Sequence, residues 1–371
     1  MNIGIDGNEA NTKIRVGVGQ YAYNLLLELN RQNKNDNYYI FLKNDAVDDL
    51  PPESKKWHYI IFGPKILWTK FALPLHLLFF TKKINVFYSP SHYSPLFSII
   101  PTVPTIHDIG YLKYQDQFTK KDLYQLINWT ETSIKHATQI VAVSQFTKNE
   151  LINTYQIPNE KISVIYNGVG TPPKTSLDFD KKVLTKFNIT KPYFLAVGTL
   201  KPNKNYPFLI EAFSLFLKKH PNYQLIIAGK KGWLYEEIDT IIKKLELSPQ
   251  VVFTDYISDI ERWPLYKNAI SLVIPSTYEG FGIPAIESQK MSTPVIASDI
   301  PSLKEVLSDS ALYINPEKVS TLVTAFEKIL NNNLRKTLVQ KSKIQSKIFT
   351  WENSAKNLIL LFHQKFGSKN V

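Results

Sequence analysis

Short runs of β-branched and aromatic residues recur along this chain with helical stretches between them, and that alternation leaves few folds open. The runs are Ile3–Asp6, Tyr38–Leu42, His58–Phe62, Val86–Ser89, Thr102–His107, Ile140–Val143 and Ile162–Ile165. A second set is Tyr193–Val197, Gln224–Ala228, Val251–Thr254, Ile270–Ile274, Val295–Ala297 and Leu312–Ile314. Strand followed by helix, many times over, is the pattern of a parallel sheet wrapped by helices. The series breaks once, at Gly168-Val-Gly-Thr-Pro-Pro-Lys-Thr-Ser-Leu-Asp178, a polar stretch with two glycines and a proline pair that reads as a linker. A length of 371 residues suits two domains. The expectation is therefore an α/β chain with doubly wound domains at 1–170 and 182–348. A last helix, Trp351 to Phe366, follows no strand.

Composition removes several function classes. The chain has no cysteine, which excludes disulfides, thiolate metal sites and a cysteine nucleophile. It opens on a short strand pattern without a basic region or a long apolar core, unlike a signal peptide. No uncharged apolar stretch approaches the roughly 18 residues of a membrane span, so a cytoplasmic protein is expected. The formal charge of +12, from 44 basic and 32 acidic residues, attracts phosphates of any kind. Nucleic-acid binding would need a basic stripe or a recognition module, and neither stands out, so no nucleic-acid partner is expected.

The most informative run is Pro275-Ser-Thr-Tyr-Glu279-Gly280-Phe281-Gly282-Ile283-Pro284-Ala285-Ile286-Glu287. A strand feeds a Gly-X-Gly turn, and Pro284 suits the first position of a helix, where its missing N–H costs nothing. Strand, glycine turn and helix start make an anion site, because free amides and a positive dipole end point outward. Carboxylates on both sides would repel a bare phosphate. They make sense for a ligand that also carries hydroxyl groups, as a nucleotide-sugar does. A second constellation, Val197-Gly198-Thr199-Leu200-Lys201-Pro202-Asn203-Lys204-Asn205, lies between a strand and the helix Tyr206–Leu217. Its lysines are point charges suited to a diphosphate.

The glutamate run resembles the Glu, seven residues, Glu motif of the retaining glycosyltransferases of family 4. That resemblance implies the GT-B fold: two Rossmann-like domains facing a central cleft, the first (1–170 with the helix 351–367) binding acceptor and the second (182–348) binding donor. It implies that Lys204 neutralises the leaving diphosphate with the amides of Gly280 to Gly282. Glu287 would then accept from ribose hydroxyls and Glu279 from hydroxyls of the sugar. Thr199, Lys201, Phe281 and Ile283 would line the same donor site, and Tyr256 and Ile257 would flank the base. The chain departs from the usual Gly-Thr-Leu-Glu-Pro-Arg-Lys-Asn loop: Lys201 replaces Glu and Asn203 replaces Arg. Asp255 stands where the family usually has glycine.

The same resemblance gives His107 a hydrogen-bonding role at the transferred sugar, to a hydroxyl or carbonyl, with Asp108 orienting it or touching the acceptor. It makes the Gly17–Gly19 loop a cover for the diphosphate, to which Arg15 adds charge. Glu279, His107 and Lys204 are thus the expected catalytic group. Ser144 reads as a helix cap, as does Ser258. The apolar segment 64–83, with flanking lysines, fits either a peripheral membrane helix or a helix packed on the sheet. No metal motif stands out, and no cofactor is expected beyond the donor itself.

The implied activity is transfer of a hexose, with mannose from GDP-mannose first, to a glycan or lipid-linked acceptor. The implied place is the cytoplasm or the inner face of the membrane, in contact with anionic lipid. UDP- or dTDP-sugar donors, and a sugar-nucleotide-binding subunit without turnover, stay open at this point.

Overall fold

The computed structural model describes residues 1–80, 82–230 and 235–367. The chain divides into two compact units. One comprises Met1–Gln115, Thr119–Gly170 and the residues from Phe349 onward; the other comprises Asp116–Phe118 and Thr171–Ile348.

The first unit is built on a seven-stranded parallel sheet. Its strands are β1 (Asn2–Asp6), β2 (Asn37–Leu42), β3 (Trp57–Ile61), β4 (Val86–Ser89), β5 (Thr102–Ile106), β6 (Ile140–Ala142) and β7 (Ile162–Val164), in the order β3-β2-β1-β4-β5-β6-β7. Ile3 pairs with Tyr38 on one side and Val86 on the other, so β1 lies at the point where strand order reverses. The second unit carries a six-stranded parallel sheet. It uses β8 (Tyr193–Val197), β9 (Gln224–Ala228), β10 (Val251–Phe253), β11 (Ser271–Ile274), β12 (Val295–Ser298) and β13 (Ala311–Ile314), in the order β10-β9-β8-β11-β12-β13. Its reversal lies between β8 and β11, registered through Leu195 and Leu272. Sheets of this kind bind ligands beyond the carboxyl ends of the strands at the reversal.

The central strands are apolar on both faces because helices cover both. Phe194, Phe213, Phe216 and Phe326 fill the core of the second unit. In the first unit Tyr21, Leu25, Trp57 and Tyr88 share a core with Trp351, Leu358 and Phe362 of the helix Trp351–Phe366. Thr350 caps that helix by accepting from the Asn353 N–H at 3.1 Å. Its start lies so close to Gly168 that a Cβ on that glycine would stand 2.1 Å from the Trp351 nitrogen. Only glycine fits there.

Three local expectations are corrected. Residues 176–178 are not linker: Ser176 accepts from the Phe179 N–H at 3.1 Å and caps a helix that begins at Leu177. The helix expected to open on Pro284 begins one residue earlier, at Ile283. Ser258 does not cap the helix Arg262–Asn268; its hydroxyl and N–H both donate to Glu261 Oε2, at 2.7 and 3.2 Å, in the turn just before it. The cap expected at Ser144 is present, with its oxygen accepting from the Thr147 N–H at 3.0 Å.

Thr81 of segment 64–83 lies outside the described residues. The rest forms a π-helical turn, Trp68–Ala72, running into the helix Leu73–Phe79 with Pro74 in its first turn. Trp68, Leu73 and Leu77 pack with Phe41 and Phe87 of the sheet. Among the described residues, no helix is long and apolar enough to cross a membrane.

Candidate active site

The loops that follow β8 and β11 leave neighbouring strands and are tied together by backbone. The Thr277 N–H donates to the Asn203 carbonyl at 2.9 Å, and Asn203 Nδ2 donates to the Tyr278 carbonyl at 3.2 Å. Asn203 is therefore a fastening residue where its resemblance-based counterpart is a cation. Between the ties the chain makes one tight turn, Pro202–Lys204, closed by Asn205 in the left-handed region at φ 56°. An Asn tolerates that conformation well.

This turn aims Lys204 at Glu279, with Nζ 2.5 Å from Oε1. Ser276 Oγ donates to the same oxygen at 2.7 Å. Both partners are largely buried, and with Tyr206, Gly282 and Pro284 they line one small hollow. The helix Ile283–Lys290 points its amino end there, and its first-turn amides add partial positive charge. Gly282 holds φ 93°, a conformation for which side-chain-bearing residues are strained, and a Cβ would stand 2.7 Å from Leu303 Cδ2. Thr199 and Lys201 stand in the loop after β8, with Lys201 exposed. Phe281 is buried and Gly280 half-buried.

Glu287 lies in the second turn of the same helix and is almost fully buried. Tyr266 OH donates to its Oε2 at 2.7 Å, and Arg262 Nη1 lies 3.4 Å from its Oε1. Burial raises the Glu287 carboxyl above its ordinary range, while Arg262 and the Tyr266 hydroxyl oppose that rise. Tyr256 and Ile257 are half-buried, and Lys230 Nζ stands 5.1 Å from the Tyr256 ring centroid. Asp255 adopts φ 54°. That explains the usual glycine at this position, since Asp is among the few other residues that enter the left-handed region at modest cost.

In the first unit, His107 follows β5. Its Nε2 lies 3.0 Å from the Pro90 carbonyl, and its backbone N–H donates to His92 Nε2 at 3.3 Å. A carbonyl oxygen only accepts, so the neutral ring carries its proton on Nε2 and leaves Nδ1 as an acceptor. His107 therefore suits a hydroxyl donor, and the alternative expectation of a carbonyl partner is corrected. Burial lowers the His107 pKa to about 4, with His92 beside it. Asp108 does not orient the ring; its Oδ1 accepts from the Gly110 N–H at 2.9 Å.

Arg15 is also corrected. It is buried, forks onto Asp49 at 2.6 and 2.7 Å, and donates through Nε to the Ala10 carbonyl at 2.7 Å. Its charge is spent in fixing the loop base. Gly17, at φ 49°, precedes the helix Val18–Gln32, and Gly19 lies in that helix's first turn.

Ser276, Arg262, Tyr266 and Lys230 contact the expected site residues Glu279, Glu287 and Tyr256, and nothing in the sequence analysis singled them out. Ser276 sits inside the glutamate run and could have been found from its three-residue spacing to Glu279. Arg262 and Tyr266 carry no local signal that points to Glu287. Among the described residues, no group of three or more His, Cys, Asp or Glu could hold a metal ion.

Residues 16–171 match the family model for Glycosyltransferase Family 4, and residues 179–345 match that for Glycosyl transferases group 1. The O-antigen chain mannosyltransferase RfbU of Salmonella typhimurium is 37% identical over 225 residues, covering 61% of this chain and 60% of that one. The O-antigen chain mannosyltransferase B of Escherichia coli is 27% identical over 281 residues, covering 73% and 72%. Among solved structures, sucrose-phosphate synthase of Thermosynechococcus elongatus superposes with a TM-score of 0.77 at 18% identity, covering 99% of this chain and 100% of that one. Anabaena Alr3699/HepE, in complex with UDP and glucose, gives a TM-score of 0.74 at 17% identity, covering 97% and 98%. At such identity these structures speak to the fold alone, which is GT-B.

Proposed function

We propose, on the premise that this chain belongs to the family 4 glycosyltransferases, that it moves a hexose from a nucleotide-diphosphate sugar to a glycan or lipid-linked acceptor in cell-surface polysaccharide synthesis. Mannose from GDP-mannose is the first choice, because the relatives include O-antigen mannosyltransferases. The observation that carries the reading is the Lys204–Glu279 pair set at the amino end of the helix Ile283–Lys290. An ammonium and a helix terminus at one spot favour a dianionic leaving group, and the adjoining carboxylate gives its hydroxyls an acceptor.

On this reading the donor diphosphate replaces Glu279 as the partner of Lys204. Glu279 is then released to the sugar hydroxyls, and Glu287, already positioned by Tyr266, takes the ribose hydroxyls. His107 Nδ1 accepts from a hydroxyl. The bond from the anomeric carbon to the phosphate oxygen breaks, and the bond to the acceptor oxygen forms on the same face. The departing phosphate takes the acceptor proton, and because departure and attack share one face, configuration is retained. Stabilisation of the developing diphosphate charge by Lys204 and the helix amides is the main contribution of the protein. We assign this role to protein groups with no metal and no further cofactor, and place the enzyme at the cytoplasmic side of the membrane.

The test is incubation of the purified chain with GDP-mannose and, separately, with UDP- and dTDP-sugars. Melting shifts identify the donor and product analysis reads turnover and anomeric configuration. Binding of a donor with neither transfer nor hydrolysis would favour the non-catalytic subunit. Loss of turnover on adding EDTA would overturn the metal-free assignment.

A further inference from the structure

The first unit carries a second apolar surface that neither its core nor the transfer reaction uses. Trp68, Leu73 and Leu77 face the sheet. Phe71, Leu75, Leu78 and Phe79, spaced i, i+4, i+7 and i+8, form the opposite stripe and are exposed. Just before the helical segment Ile66 is 82% exposed, and Phe79 at its end is equally so. The neighbouring loop adds exposed Phe97 and Ile99, and Ile100 packs against the same cluster as Leu77. A helix apolar on both faces is ordinarily covered on both. Soluble surfaces do not usually gather this much apolar area without a partner.

Charge identifies the partner. From Ser54 to His107 the chain contains no Asp or Glu, while Lys55, Lys56, Lys65, Lys70, Lys82 and Lys83 all fall in that interval. Lys65, Lys82 and Lys83 are exposed at the two ends of the apolar stripe. A protein partner, or a second copy of this chain, would have to bring its own acids to Lys65, Lys82 and Lys83. A bilayer rich in anionic phospholipid supplies both the apolar depth and the negative surface. The helical stretch, residues 68–79, is too short to span.

We propose that the stripe Phe71, Leu75, Leu78, Phe79, with Ile66, Phe97 and Ile99, is a monotopic membrane-docking face. It lies in the plane of an anionic phospholipid surface with Lys65, Lys82 and Lys83 at the headgroups. This contact needs no turnover and is read without donor, so its failure is separable from failure of the transfer reading.

Co-sedimentation of the full chain with vesicles tests it. Vesicles of phosphatidylcholine and phosphatidylglycerol in equal amounts should bind at least about tenfold more tightly than pure phosphatidylcholine, and added salt should weaken the binding. The double variant Ile66→Ser, Phe79→Ser should lose about tenfold or more on the mixed vesicles, with an unchanged melting temperature because both side chains are exposed. Lys82→Gln with Lys83→Gln should lose about fivefold per lysine. Equal sedimentation of wild type and the Ile66/Phe79 variant, or equal binding to neutral vesicles, overturns the proposal. A concentration-dependent dimer of the wild type that the same variant abolishes overturns it in favour of a second copy of the chain.

Discussion

Lys204 Nζ lies 2.5 Å from Glu279 Oε1, an oxygen that Ser276 Oγ also reaches at 2.7 Å. The ammonium in the loop after β8 is thus held by a carboxylate 75 residues away in sequence. Lys204→Ala should lower donor turnover by about 10²- to 10³-fold, the usual cost of removing one group that stabilises transition-state charge. Lys204→Arg keeps the charge but alters its reach, and should recover part of the rate. Rate measurements beside melting curves check this. A Lys204→Ala enzyme within about threefold of wild type, with an intact fold, contradicts the assignment.

The Tyr266–Glu287 bond predicts a separable effect. Tyr266→Phe removes one donor to a buried carboxylate and should cost about 1.5–3 kcal/mol of stability. Arg262→Met leaves Glu287 without its cation and should cost more, about 3–5 kcal/mol. If Glu287 meets the donor, both variants should raise KM for the donor more than they lower kcat. Denaturant titration and steady-state kinetics read the two quantities.

Gly282 predicts a steric penalty. Alanine there would hold a left-handed backbone and press on Leu303 Cδ2 at 2.7 Å. A destabilisation of about 2 kcal/mol is expected, with weaker donor binding because the start of the helix Ile283–Lys290 is displaced. Calorimetric melting with and without donor measures both. An unchanged melting temperature would show that the turn yields freely.

Acid should destabilise the first unit. His92 and His107 both have pKa values lowered by burial to about 4 from 6.5, so the unfolded chain binds protons that the folded chain refuses between those values. Their stabilising contribution is complete above pH 6.5 and is lost as pH falls toward 4, by an amount on the order of 2 kcal/mol for each ring. Asp6 acts with the opposite sign. Burial raises its pKa to about 6 from 3.8, so its contribution is present at low pH and is lost as pH rises through 6. Burial raises the Glu9 pKa in the same sense as that of Asp6; the two imidazoles outweigh these carboxyls, and melting temperature should drop between pH 7 and pH 5. His92→Gln should flatten that slope. A wild-type melting temperature constant over the range would refute the sign.

The strands were legible because a parallel strand covered on both faces is nearly continuous apolar sequence. Tyr193–Val197 and Gln224–Ala228 were bounded to the residue for that reason. The meeting of Lys204 and Glu279 was legible because each sits in a short motif at the end of a neighbouring strand. Arg262 and Tyr266 were not, because they sit on a helix whose pattern explains its own burial and says nothing about Glu287. Arg15 read as a loop cation because Asp49, its partner, lies 34 residues on and has no spacing that could announce it. The π-helical turn at Trp68–Ala72 was equally silent, since nothing in the residues distinguishes it from an ordinary helical turn.

The helix Trp351–Phe366 seals a core begun by Ile3, Tyr21 and Leu25. During vectorial synthesis the first unit must wait, its core lacking Trp351, Ala355, Leu358, Leu361 and Phe362, while every residue of the second is made. The later-encoded unit can finish first on the ribosome, and the earlier-encoded one matures only when Trp351 to Phe362 emerge. Ribosome-stalled chains ending before Trp351 should therefore resist protease across 177–345 and yield to it across 1–170.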